Sequence, residues 1–218
     1  PLIQKLPAGP IDIIGDVHGE AEALNALLAH LGYTATGHPQ GRSLAFVGDL
    51  VDRGPDSPAV VRKVQSLIQA GVAQCILGNH EMNILRGLTK QGNAWISGKT
   101  ESLDNTSTIH PQATVNLTER EEMVNFFKTL PVALERDDLR VVHACWDNSC
   151  IELIRNDPNS LDTFERHMLR IDREIESHPA MDNIDRGLRR QNHNPLKVLT
   201  SGPEQRAPRP FEANGKIR

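Results

Sequence analysis

Four short blocks hold most of the side chains that could do chemistry: Gly15-Asp16-Val17-His18-Gly19, Gly48-Asp49-Leu50-Val51-Asp52-Arg53-Gly54, Gly78-Asn79-His80-Glu81 and His143-Ala144-Cys145-Trp146. Asp16 and His18 are two residues apart, so in an extended turn both side chains can face the same way and bind one cation. Asp49 and Asn79 follow at intervals of 33 and 30 residues, each about one strand-helix-strand unit. Carboxylate, imidazole and amide oxygen suit Mn, Fe or Zn, whereas no paired CxxC spacing offers a thiolate site. A dinuclear centre sharing one carboxylate is the chemistry this donor set favours. A single block of this kind says little, because Asp and Gly are ordinary turn residues. Four in order, each just past a predicted strand, say much more.

The positioning elements are legible from periodicity. Strands are predicted over 11–14, 43–47 and 72–77, each ending at a glycine, with helices over 20–31, 57–70 and 81–88 between and after them. That alternation argues for an α/β core with a largely parallel sheet. Such sheets bind ligands beyond the carboxyl ends of their strands. Residues 89–117 lose all periodicity and form a candidate lid or flexible insertion. Thr118 then opens a predicted helix, with Glu121 completing a capping box, and the helix stops near Leu130 at Pro131. A hairpin over 132–135 and 139–143 and a helix over 161–175 follow. Residues 178–195 read as polar and irregular, and 196–200 as a last strand before an extended tail.

With its blocks in this order, the chain resembles the calcineurin-like metallophosphoesterases of the phosphoprotein phosphatase superfamily, whose GDxHG, GDxxDRG and GNHE signature runs here uninterrupted. The resemblance covers roughly residues 11–146, and residues 11–86 are most similar to bacterial bis(5'-nucleosyl)-tetraphosphatases. It implies a sandwich of two mixed β-sheets flanked by helices, with a dinuclear metal site at the strand ends, in one domain over 1–218. It implies two divalent ions, Mn first and Fe, Zn, Ni or Mg as alternatives. Asp16 and His18 would bind the first, Asp49 would bridge, and Asn79 and His143 would bind the second. Paired cations ~3.5–4 Å apart activate water and clamp phosphoryl oxygens in an in-line displacement. His80 would be the general acid, with Asp52 fixing and charging its ring, while Arg53, Asn79 and His80 would hold the substrate phosphate. Arg53 suits this role because its planar fork matches phosphate oxygens.

The chain departs from the family pattern in two ways. Relatives commonly supply one more histidine to the second metal in a Gly-His pair, and none follows His143. The expectation is that this ligand lies beyond residue 218 and that the second metal site of the 218-residue chain is weak. His167 is expected to face solvent on its helix, and His178 and His193 to lie in surface loops. Leu77 stands where protein phosphatases commonly carry an arginine, which favours dinucleoside polyphosphates as substrate. In the other direction, Asp52 and Glu81 look more like a serine/threonine protein phosphatase, the alternative function. A non-catalytic binding module of the same fold is the second alternative.

Composition narrows the partners. The net charge is −4 and no block of five or six like charges occurs, so gripping nucleic acid through its phosphates is not expected. No apolar stretch approaches the ~20 residues a membrane helix needs. Three cysteines without a pairing pattern favour a reducing, cytoplasmic setting. The expected partner is a nucleotide or a phosphoprotein.

Overall fold

Short apolar runs that break at glycine make the three parallel strands on which the chemistry depends. The computed structural model describes residues 1–88, 90, 92–98, 111–209, 212–213 and 216–217. Strand β1 (Ile3–Lys5) precedes β2 (Ile11–Ile14), β3 (Ser43–Phe46) and β4 (Ala73–Cys75). The last three form one parallel sheet in the order β2-β3-β4, with Ile14 opposite Phe46 and Phe46 opposite Cys75. Because the register is level, the turns that leave these strands emerge side by side at one edge.

The crossovers are helices for local reasons. Helix α1 (Ala21–Leu31) buries Leu24 and Leu28, and Gly32 ends it in a left-handed conformation at φ 87°. In α2 (Ser57–Gln69), Asp56 accepts from Ala59 N at 2.9 Å, Pro58 sits in the first turn, and Val60, Val61, Val64 and Leu67 face the core. Helix α3 (Asn79–Leu85) starts directly after Gly78.

The second sheet has the order β1-β5-β6, where β5 is Ala133–Arg136 and β6 is Leu139–Val142. β1 runs parallel to β5, and β6 closes an antiparallel hairpin on it. The two sheets face each other across Leu6, Ala45, Ile76, Leu134 and Val141. Neighbouring Leu44 and Phe46 belong instead to the larger core with α1 and α2. Alternation along a strand thus divides its residues between the two interfaces. The architecture is the expected two-sheet α/β fold, with one sheet mixed and the other parallel among its described strands.

Differences from expectation concentrate after residue 88. The helices there are α4 (Ala94–Ser97), α5 (Leu117–Thr129), α6 (Asn148–Ile154), α7 (Ser160–Glu176), α8 (Asn183–His193) and α9 (Pro195–Ser201). The capping box of α5 is Asn116 with Glu119, two residues earlier than Thr118 with Glu121, because Asn116 takes the extended backbone a cap requires. Residues 178–195 are largely helical: Asp182 caps α8 by accepting from Asp185 N at 2.8 Å. Only Gln191 of that helix is buried, so no apolar stripe marked it. Residues 196–200 form a helix rather than a strand, with Asn194 as cap and Pro195 in the first turn. His167 is buried, 6% exposed, in line with Phe164, Ile171 and Ile175 on the core face of α7. Two short strands, β7 (Glu212–Ala213) and β8 (Lys216–Ile217), pair antiparallel near the end of the described chain. Among the described residues no helix is long and apolar enough to cross a membrane. The candidate lid over 89–117 falls partly on residues 89, 91 and 99–110, outside the described set.

Candidate metal centre

The three turns beyond β2, β3 and β4 are pressed together by backbone contacts. Val17 N and His18 N both donate to Asp49 O, at 3.0 and 2.9 Å, and Gly54 N donates to His18 O at 2.9 Å. Two glycines make the approach possible. A Cβ on Gly48 would lie 2.2 Å from Gly78 N, and a Cβ on Gly78 would lie 2.2 Å from Asp49 Oδ1. The described non-glycine residues with positive φ are His18, Asp49, Asp52 and Arg53, at 46°, 49°, 71° and 69°. Such conformations cost energy and persist where the surroundings over-determine them, typically at functional sites.

Glu81 ties the turns from below. Its fully buried carboxylate accepts from Asp49 N at 2.9 Å, Leu50 N at 2.8 Å and Gly78 N at 3.0 Å. Burial and the nearby Asp49 charge push its pKa up to about 7, against the pull of these three N–H donors. Its work is to hold two loops in register.

Asp49 is the hub. Its Oδ1 accepts from His80 N at 3.0 Å. Its Oδ2 faces three imidazole Nε2 atoms: His143 at 3.6 Å, His18 at 3.7 Å and His80 at 3.9 Å. His18 Nδ1 lies 2.9 Å from Val51 O, and His143 Nδ1 lies 2.7 Å from Val47 O. A carbonyl can only accept, so each Nδ1 carries a proton and Nε2 is the ring atom turned toward Asp49. Asn79 Oδ1 is 3.1 Å from His143 Nε2, and Asp16 Oδ2 is 3.7 Å from His18 Nε2. Carboxylate, amide and imidazole donor atoms therefore converge on one point. That suits divalent cations, which such a mixed N/O set binds well. Donor atoms of His18, Asp49 and His80, and of Asp16, Asp49 and His143, lie within 4.8 Å of one another.

A buried hydrogen-bonded chain of His80, Asp52 and Trp95 adjoins this cluster. His80 Nδ1 is 2.7 Å from Asp52 Oδ2, and Trp95 Nε1 donates to Asp52 Oδ1 at 2.6 Å. Asp52 is 1% exposed and Trp95 0%, so water cannot replace either bond. Burial pulls the His80 pKa down. The Asp52 hydrogen bond and the charges of Asp49 and Asp52 outweigh it, and the ring holds its proton above the ordinary histidine range. Arg53 is exposed at the open face, with Nη1 2.9 Å from His18 Nε2 and Nη2 3.3 Å from His80 Nε2.

The structure thus brings together Asp16, His18, Asp49, Asp52, Arg53, Asn79, His80 and His143. His178 and His193 are exposed, outside the cluster. Leu77 is buried in the core and cannot serve as a phosphate clamp. Trp95 is the residue that sequence reasoning passed over, as an isolated aromatic in a polar stretch. A buried indole N–H needs an acceptor, and that was the available signal. Gln112 fastens the same stretch, accepting from Trp95 N at 3.2 Å and donating to Gly54 O at 3.1 Å and Gly92 O at 2.8 Å.

Residues 9–211 match the family model described as calcineurin-like phosphoesterase. The chain is 46% identical over 87 residues to an asymmetrical bis(5'-nucleosyl)-tetraphosphatase of Oceanobacillus iheyensis, covering 38% of this chain and 34% of that protein. It is 36% identical over 138 residues to a symmetrical bis(5'-nucleosyl)-tetraphosphatase of Janthinobacterium sp., covering 60% and 42%. The chain therefore spans less than half the length of either curated relative. Among solved structures, a serine/threonine phosphatase from Saccharomyces cerevisiae shares the fold, with a TM-score of 0.50, 20% identity, and coverage of 69% of this chain and 44% of that one.

Proposed function

This chain belongs to the calcineurin-like phosphoesterase family, and from that premise we propose that it is a metal-dependent hydrolase of phosphate anhydrides and esters, with dinucleoside polyphosphates as its substrate class. The observation that carries the reading is the convergence of three imidazole nitrogens on Asp49 Oδ2 at 3.6–3.9 Å. Asp16, His18 and Asp49 would hold one divalent ion, and Asp49, Asn79 and His143 the other, with Mn the preferred metal. When bound, the pair supplies Lewis acidity toward the phosphoryl oxygens and the attacking water.

The chain's own groups do the rest. Arg53 directs its planar fork at the phosphoryl oxygens and orients them. His80 donates the Nε2 proton to the leaving oxygen while Asp52 fixes the ring through Nδ1. Water attacks phosphorus directly, with no enzyme-bound phosphoryl group. The polyphosphate preference is supported by the two tetraphosphatase relatives and by Leu77 in place of a second arginine clamp. Three free cysteines are compatible with the reducing cytoplasm that we take as its setting.

Mn-dependent hydrolysis of an aryl phosphate by the whole chain tests the chemistry. Asp49→Asn is expected to abolish turnover and to remove metal binding measured by calorimetry; full activity in that variant refutes the assignment. Comparing kcat/KM for diadenosine tetraphosphate with that for a phosphoserine peptide decides the substrate, and faster peptide turnover makes the protein a phosphoprotein phosphatase instead.

A further inference from the structure

A cavity of about 190 Å³ opens where α3, α7, α8 and α9 meet, and Asn79 of the metal centre forms part of its wall. That volume is more than tenfold what one water needs. Three cations line it, Arg86 just after α3, Lys90, and Lys197 on α9, against the single carboxylate of Glu204. None of the three cations makes an ion pair among the described residues, although eleven arginine–carboxylate pairs occur elsewhere among them. In a chain of net charge −4, an uncompensated positive cavity beside the reaction site calls for a physical reason.

The two cations with ordered contacts are held so that donors stay unspent. The Arg86 guanidinium carbon lies 4.2 Å from the Phe164 ring centroid, a cation–π contact, and its side-chain N–H groups make no hydrogen bond among the described residues. Lys197 Nζ donates to Gln191 Oε1 at 2.9 Å, one of its three protons, and Gln191 is itself anchored through Nε2 to Gly202 O at 2.7 Å. Burial pushes the Lys197 ammonium below the usual lysine range, Arg86 pushes it further, and Lys90 and Arg190 add to this against Glu204. Burial lowers Arg86 in the same sense. Half-buried like charges repel at low dielectric, and a multivalent anion is what relieves them.

We infer that this cavity is a polyphosphate subsite: Arg86, Lys90 and Lys197 bind the phosphates that extend beyond the one held at Asn79. The inference rests on the proposed phosphohydrolase reading, because Asn79 gives the chain of phosphates its starting point. The class of ligand is a linear chain of phosphates, whether free or carried between two nucleosides.

Calorimetry on the metal-stripped full chain separates this inference from its parent. Inorganic tripolyphosphate is expected to bind more tightly than orthophosphate, with affinity falling as salt is raised. In Lys197→Gln and in Arg86→Gln the ratio of tripolyphosphate to orthophosphate affinity is expected to drop about tenfold. Lys197→Arg, which keeps the charge, restores it and controls for folding. An unchanged ratio in both Gln variants overturns the subsite, whatever the enzyme hydrolyses. If diadenosine tetraphosphate is not turned over while an aryl phosphate is, the substrate reading fails. The calorimetric ratio still decides the subsite, its fall supporting a free-polyphosphate site and its constancy removing it.

Discussion

Trp95→Phe is the most informative single change, because it removes one hydrogen-bond donor and leaves an aromatic ring in place. The lost bond is the 2.6 Å contact from Trp95 Nε1 to Asp52 Oδ1. Asp52 keeps only its 2.7 Å contact with His80 Nδ1, and at 1% exposure it cannot recruit water in compensation. A hydrogen bond to a buried charged group is worth about 1.5–3 kcal/mol. In a chain of this size each kcal/mol moves the unfolding midpoint by roughly 2–4 °C, so a fall of roughly 3–12 °C is expected in a thermal melt. The catalytic consequence is separable. General acid catalysis contributes about 10²–10⁴-fold, and a proton donor whose orienting carboxylate has come loose should forfeit about tenfold of it. That loss belongs to substrates with poor leaving groups, such as alkyl phosphate esters, whose alkoxide needs a proton to depart. p-Nitrophenyl phosphate, whose phenolate leaves without a proton, should lose much less kcat. Equal losses on both substrates would refute the positioning role and make Trp95 only a packing residue. The chain has two tryptophans, so its indole N–H spectrum holds two signals. One of them should shift in Asp52→Asn and vanish in Trp95→Phe.

Gly78→Ala puts a Cβ 2.2 Å from Asp49 Oδ1 and 2.4 Å from Asp49 N, so backbone must move. The expected result is about 1–3 kcal/mol of destabilisation in a urea melt and a loss of metal affinity by titration; retention of full affinity would contradict the close-approach argument. Asp12 accepts from Tyr33 Oη at 2.7 Å, from Arg42 Nε at 2.8 Å and from Arg42 Nη2, and these bonds, Arg42 first, hold its carboxyl down at about 2. A depressed carboxyl stabilises the fold above its unfolded value of 3.8 and loses that contribution as pH falls toward 2. Asp12→Asn should therefore separate from the wild type in urea midpoint at neutral pH and converge with it near pH 2.

Some of this was plain in the residues and some was not. The strands at Ile11–Ile14 and Ser43–Phe46 and the helices between them follow from apolar periodicity, and their lengths set the 33- and 30-residue spacing of Asp16, Asp49 and Asn79. Helix α9 reads as a strand because a five-residue segment with three apolar positions fits both periods. The Asn194-Pro195 start was the signal that should have decided it. The burial of His167 was visible in its spacing from Phe164 and Ile171. By contrast, α8 turns only Gln191 inward and is anchored by polar contacts such as Arg190 to Asp172 at 2.7 Å, which leave no pattern in hydropathy.

By itself the sequence determined which donors exist, their order, and that each follows a strand. Tertiary structure alone decided that His18, His80 and His143 meet over one oxygen of Asp49, that Trp95 is the partner of Asp52, and that Lys197 comes to lie beside Arg86. The physical reason is range. Turn chemistry and periodicity act over a few residues, whereas these meetings join positions 31 to 125 residues apart, brought together by level strand register, two packed sheets and the packing of α7 and α9 on the core.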